Sequence, residues 1–191
     1  GWHIVRTALD RGYGVTLFNR GRTNPGEFPG VERLVGDRDG GLAPLAGRRF
    51  DAVIDCCGFH PDVVRQSAEL LNEGVGHYTF ISTESVYPDE LTVDIDETAP
   101  LIELAPPIPA TFVMEAYGGL KVLCERVVRE VYGARALIVR PGLVVGPRDH
   151  TQRFTHWVRR AAQPGEMLLP GPPSRRVQLI DARDLAAFVL D

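Results

Sequence analysis

Residues 78–87 read YTFISTESVY. The run from Tyr78 to Ser82 carries aromatic or β-branched residues on both of its alternating faces, and polar residues follow at once. A short strand that is apolar on both sides is buried on both sides, which is the habit of parallel strands in an α/β sheet. Working outward, similar runs occur at 15–18 (VTLF), 52–55 (AVID) and 136–140 (ALIVR), with weaker ones at 31–35 and 177–180. Helical patterns lie between them. Ile4, Val5, Ala8 and Leu9 recur at helical spacing before a stop at Gly12. Pro61 opens a second stretch that runs to Leu71, with Gly74 beyond it. Further helices are expected over 114–131 and 154–162, and Asp181 is placed to cap the closing DARDLAAFVL. Strands alternating with helices predict a doubly wound parallel α/β sheet. Residues 84–113 and 141–176, rich in Pro and Gly, break the rhythm. Both follow strand ends, where open α/β sheets bind ligands, so both are expected to be substrate-side connections.

The 191 residues are 44% hydrophobic and 24% charged, which suits one globular domain. A net charge of −4 argues against a broad basic surface for nucleic acid. Arginines cluster at 20–22, 48–49, 159–160 and 175–176, and a cluster at a loop start can hold a phosphate. Cys56, Cys57 and Cys124 make a poor disulfide framework and point to a reducing, cytoplasmic setting. No CxxC or HExxH suggests a metal site, and no apolar run is long enough to suggest a membrane span.

Residues 115–125, EAYGGLKVLCE, set a puzzle. Each Gly costs a helix interior about 1 kcal/mol against Ala, so Gly118 and Gly119 imply a late helix start or a close neighbour. Lys121 follows Tyr117 by four residues, which puts phenol and ammonium on one helical face.

In order, VTLFNRG, AVIDCCGF, FISTESVY, YGGLK and RPGLVVGP resemble the extended short-chain dehydrogenase/reductase family, the NAD(P)-dependent epimerase, dehydratase and reductase group. The resemblance covers nearly the whole chain and implies a Rossmann-like fold. It also implies a truncated one. GWHIV resembles the tail of the Gly-rich fingerprint, with Gly1 as its third glycine, so the first strand and the C-terminal substrate part are expected to be missing.

The resemblance assigns cofactor residues. The second strand of NAD-preferring members usually ends in an acid that binds the ribose 2′-hydroxyl. Here Asn19, Arg20 and Arg22 stand in that turn, and two guanidinium groups suit a 2′-phosphate, so NADP is expected ahead of NAD. Asp37 and Arg38 fall where members flank the adenine. Cys57 and Gly58 fall where small residues let the cofactor pass, and Pro141 of RPGLVVGP belongs to the same cofactor side.

It assigns catalytic residues too: Thr83, Tyr117 and Lys121 fall on the family's Ser/Thr, Tyr and Lys. A phenol is a poor base at neutral pH, and a nearby ammonium favours its phenolate. Tyr117 is then expected to exchange a proton with a substrate hydroxyl or carbonyl during hydride transfer, with Thr83 bonding the same oxygen and Lys121 the ribose. Leu143 stands where sugar-nucleotide enzymes often carry Asn, which counts against a nucleotide-sugar substrate. Glu84 matches the first of two acids in dehydratases, while Ser85 replaces the second. Reduction, oxidation or epimerisation is therefore expected, dehydration is the runner-up, and a non-catalytic dinucleotide sensor is the alternative from another class. A homodimer stays open.

Overall fold

The computed structural model describes residues 1–88, 94–169, 171–172, 174 and 176–191. Parts of both expected connections, 89–93 and 170, 173 and 175, lie outside the described residues, and with them Arg175 of the last arginine cluster. The chain divides into two compact units. One is Gly12–Arg140; the other joins Gly1–Arg11 with Pro141–Asp191.

In the larger unit every described strand pair is parallel. Strand β1 (Thr16–Asn19) pairs with β2 (Glu32–Val35), and β3 (Phe50–Asp55), β4 (Val75–Ile81) and β5 (Ala136–Val139) form a sheet in that order. Tyr78 on β4 stands opposite Val53 on one side and Ala136 on the other. Helix α2 (Pro61–Leu71) links β3 to β4, and α3 (Tyr117–Tyr132) precedes β5. Pro61 at the first turn pre-sets the helical φ, and Asp62 beside it complements the helix dipole.

The apolar faces of α2 and α3 close over β4. Val64, Ala68 and Leu71 meet Val75, Tyr78 and Phe80, and Cys124, Val127, Val128 and Tyr132 complete the cluster. Side chains of the Val, Leu and Phe class each contribute about 1.5–3 kcal/mol when fully buried. Two phenols need polar partners there. Tyr132 donates to the Ala68 carbonyl at 3.1 Å, and Tyr78 donates to Asp55 at 2.9 Å. Burial pushes the Cys124 thiol up to about 12, so it remains a neutral core residue.

In the smaller unit, α1 (Trp2–Asp10) packs on α5 (Ala182–Phe188), and β6 (Leu143–Val145) pairs in parallel with β7 (Leu179–Asp181). Helix α4 (Thr155–Ala161) lies between those strands in sequence. Asp181 caps α5 as expected, accepting from the Arg183 amide at 2.8 Å, and hydrogen bonds from Arg183 hold its carboxyl near 2. Strand β6 was not expected: Pro141-Gly142 and Gly146-Pro147 bracket three residues and read as a loop. Its partner lies 36 residues away, from Leu143 to Leu179, so pairing overrides the local signal. Parallel strands alternating with helices make this a Rossmann-like α/β fold. Among the described residues no helix is long and apolar enough to cross a membrane.

Candidate active site

Lys121 sits one turn into α3 and is 2% exposed. Its ammonium donates to the Gly58 carbonyl, just past β3, and to the Ile81 carbonyl at the end of β4, both at 2.8 Å. It also lies 4.0 Å from the centroid of the Phe80 ring. Burial lowers its pKa from the usual lysine range, while the two carbonyls and the ring face favour the cation. An ammonium has three donors, so one remains beyond these two carbonyls. Lys121 therefore ties the ends of two adjacent strands to α3.

Thr83 follows β4 and caps the short 3₁₀ turn Glu84–Val86. Its hydroxyl oxygen accepts from the Ser85 amide and its O–H donates to the Ser85 hydroxyl, both at 3.2 Å. The two glycines of YGGLK now have a reason. A Cβ at Gly118 would overlap the Ser85 carbonyl oxygen, and one at Gly119 would come within 2.8 Å of Leu104 Cβ. The close neighbour is the protein itself, backbone at Gly118 and a side chain at Gly119. The helix begins at Tyr117, after a 3₁₀ turn at Met114–Ala116, and its first turn rests directly on the turn that Thr83 caps. The Ile102 amide donates to Val86 at 2.8 Å and holds the following segment on the same surface.

Tyr117 is half-buried beside two other rings. The Phe59 centroid lies 6.5 Å away and that of Phe112 6.1 Å away, edge-on. Neither phenylalanine was singled out in the sequence. Each is an isolated aromatic in a loop, and only folding brings them together. Ser82 carries a buried hydroxyl without a hydrogen-bond partner among the described residues. Glu84 is partly buried, which raises its carboxyl above the ordinary value.

The expected cofactor residues divide. Asn19 closes a turn at the end of β1, its side chain accepting from the Gly21 amide at 2.9 Å. Arg20 and Arg22 flank that turn, exposed and without a described partner. Two unpaired cations at a strand's carboxyl end fit a phosphate. Asp37 accepts from the Asp39 amide at 3.2 Å within its own turn.

The Arg38 guanidinium is engaged by the protein itself. Its two terminal nitrogens grip Asp55 at 2.7 and 2.9 Å, and they reach Ser67 at 3.1 Å and the Cys57 sulfur at 3.5 Å. Burial alone would raise the Asp55 carboxyl, but Arg38 outweighs it and holds the group below its usual range. Gly58 makes its close approach to protein as well: a Cβ there would lie 2.7 Å from Val64. Gly1 and Pro141 belong to the smaller unit, where Gly1 accepts from the Val5 amide at 3.1 Å.

A second buried ion pair was missed. Glu125, one turn beyond Lys121, accepts from Arg140 at 3.0 and 2.6 Å, and Arg140 also donates to the Tyr87 hydroxyl at 2.7 Å. A groove of about 340 Å³ beside the start of α2, lined by His60, Ile108 and Leu123 among others, contains none of the assigned catalytic residues.

Comparison with known proteins agrees with the fold. The model of the NAD dependent epimerase/dehydratase family matches residues 63–190. Among solved structures, a UDP-galactose 4-epimerase shares 21% identity at a TM-score of 0.70, over all of this chain and 66% of that one. A UDP-N-acetylglucosamine 4-epimerase from Bacillus cereus shares 19% at 0.71, over 100% of this chain and 68% of that one. A short-chain dehydrogenase/reductase superfamily protein from Agrobacterium tumefaciens, with bound NAD, shares 21% at 0.69, over 98% and 68%. The chain thus spans about two thirds of the length of the structures it matches, and 64% of a related protein from Methylobacillus flagellatus. No curated protein matches it. With two thirds of its length matched by the family model, the chain belongs to the NAD-dependent epimerase/dehydratase family.

Proposed function

We propose that the protein is an NAD(P)-dependent oxidoreductase or epimerase in which Tyr117 acts as the acid/base and Thr83 and Lys121 assist. One observation carries this reading. The Gly118 contact with Ser85 seats the first turn of α3 on the turn that Thr83 caps, so the phenol and the hydroxyl arise from two interlocked elements. In oxidation the substrate O–H bond breaks and its proton passes to the Tyr117 oxygen, while Thr83 donates to the same substrate oxygen; reduction reverses both. The buried Lys121 lies one helical turn from the phenol, where its charged form would favour the phenolate. Its remaining N–H would reach a ribose hydroxyl, and Arg20 and Arg22 would hold a 2′-phosphate, which favours NADP over NAD. The bound nicotinamide would supply hydride transfer. A small-molecule substrate and a cytoplasmic setting belong to the same proposal.

Dehydration is the second reading, and Glu84 favours it. Burial raises its carboxyl, as a proton donor to a leaving hydroxyl requires. The test uses the complete protein. Tyr117→Phe should abolish turnover and leave NADP(H) affinity within twofold, and calorimetry should give tighter binding of NADP(H) than of NAD(H). A Tyr117→Phe enzyme at near wild-type rate defeats the acid/base assignment. Loss on the order of 10² from Glu84→Gln points to elimination instead.

A further inference from the structure

Three rings meet at the proposed proton donor. Phe59 follows Gly58 on the loop after β3, Phe112 lies in the segment before α3, and Tyr117 opens α3. Phe59 and Phe112 meet at 5.5 Å, and both contact Tyr117. Phe59 also lies 5.6 Å from the Lys121 ammonium. Neither phenylalanine belongs to the core cluster, and they remain 43% and 40% exposed. Apolar side chains scattered singly on a surface need no explanation, but two that converge on a proposed reacting group do. The preceding segment adds Ile108, Val113 and Met114, exposed by 38%, 37% and 68%.

We propose that Phe59 and Phe112 form a substrate wall beside Tyr117, and that the substrate carries a flat apolar group, aryl or conjugated alkenyl, on its reacting carbon. This rests on the acid/base reading of Tyr117. Ring faces and edges recognise flat π systems by offset or edge-on contact. The polar atom these three side chains contribute is the Tyr117 hydroxyl, which the reacting oxygen takes. A pyranose against the same wall would strand its other hydroxyls, at about 1–3 kcal/mol for each one buried without a partner. In the oxidative direction the carbinol O–H proton passes to Tyr117, the carbinol C–H hydrogen leaves as hydride to an oxidised nicotinamide, and an aryl or alkenyl carbonyl compound remains.

The experiment titrates the complete protein with cinnamyl alcohol and, separately, UDP-galactose by calorimetry, and follows cinnamyl alcohol oxidation with NADP⁺. Cinnamyl alcohol should bind more tightly than UDP-galactose. Phe59→Ala and Phe112→Ala should each weaken it three- to tenfold, and Phe59→Leu, which keeps apolar volume without a ring, should weaken it too. Circular dichroism verifies that each variant is folded. No binding of cinnamyl alcohol, equal binding in the folded Phe59→Leu variant, or tighter binding of UDP-galactose overturns the wall. The two readings fail separately. If Tyr117→Phe retains turnover while the phenylalanine variants lose affinity, the acid/base assignment falls. If Tyr117→Phe abolishes turnover while Phe59→Leu and Phe112→Ala leave KM unchanged, the wall falls.

Discussion

Gly118→Ala sets two opposed effects against each other. In a helix, Ala is better than Gly by about 1 kcal/mol, so propensity alone forecasts stabilisation. The new Cβ would overlap the Ser85 carbonyl oxygen and lie 3.1 Å from the Ile102 Cδ1 atom. The Ile102 tip can swing aside. The Ser85 carbonyl cannot, because it belongs to the backbone of the turn capped by Thr83. Overpacking costs about 1–3 kcal/mol, and contact with backbone puts this case at the upper end. The net expectation is a loss of about 1–2 kcal/mol, or roughly 2–8 °C in Tm for a chain of this size. If the turn moves instead, Thr83 moves with it, and a shift of about 1 Å at a reacting group costs on the order of 10² in rate. Gly119→Ala is the control. It gains the same propensity but presses on Leu104, outside the Thr83 turn, so stability should fall with a smaller effect on rate. Urea denaturation followed by circular dichroism, with initial rates on the complete enzyme, measures both. A Gly118→Ala protein about 1 kcal/mol more stable at an unchanged rate refutes the interlock.

Two further substitutions test the buried charges. Asp55→Asn leaves the Arg38 guanidinium without its counterion and should cost about 3–5 kcal/mol in denaturant titrations near neutral pH. The Asp55 carboxyl is held low in the fold, so its stabilisation is present above the ordinary carboxylate value and lost as pH falls through the folded value. The variant should accordingly show a flatter loss of stability below about pH 4 than the parent. Lys121→Met removes the donor that the Gly58 and Ile81 carbonyls share, and about 2–4 kcal/mol of stability should go with turnover. A Lys121→Met protein that is inactive but fully stable would confine this residue to chemistry.

Much of this was legible because local chemistry declares it. Continuous apolar runs marked β3, β4 and β5, and Pro61 marked the first residue of α2. Asp181 could be read as a cap because the helix signal starts one residue later. What stayed hidden depends on partners distant in sequence. For Arg38, nothing local reveals that Asp55 waits 17 residues on to grip its guanidinium. Gly118 and Gly119 announced a close neighbour without saying whether it was ligand or protein; Ser85 and Leu104 supply the answer. Phe59 and Phe112 are unremarkable in sequence and gain meaning only where two loops converge on Tyr117. Strand β6 exists because β7 is there to receive it.

The smaller unit is assembled from two ends of the chain, with Arg11 bonded to Asp191 at 2.7 Å and α1 packed on α5. This has a consequence for the order of folding. In the chain α1 precedes Gly12–Arg140, and the helix it packs on follows that stretch. A nine-residue helix is marginal alone in water, so α1 depends on packing such as that against α5. Closing a loop of about 130 residues carries an entropy cost on the order of 4 kcal/mol if that stretch is still unfolded. If Gly12–Arg140 folds first, its compact form brings the two ends closer and most of that cost has already been met. The smaller unit should therefore acquire hydrogen-exchange protection last in refolding and lose it first under mild denaturation.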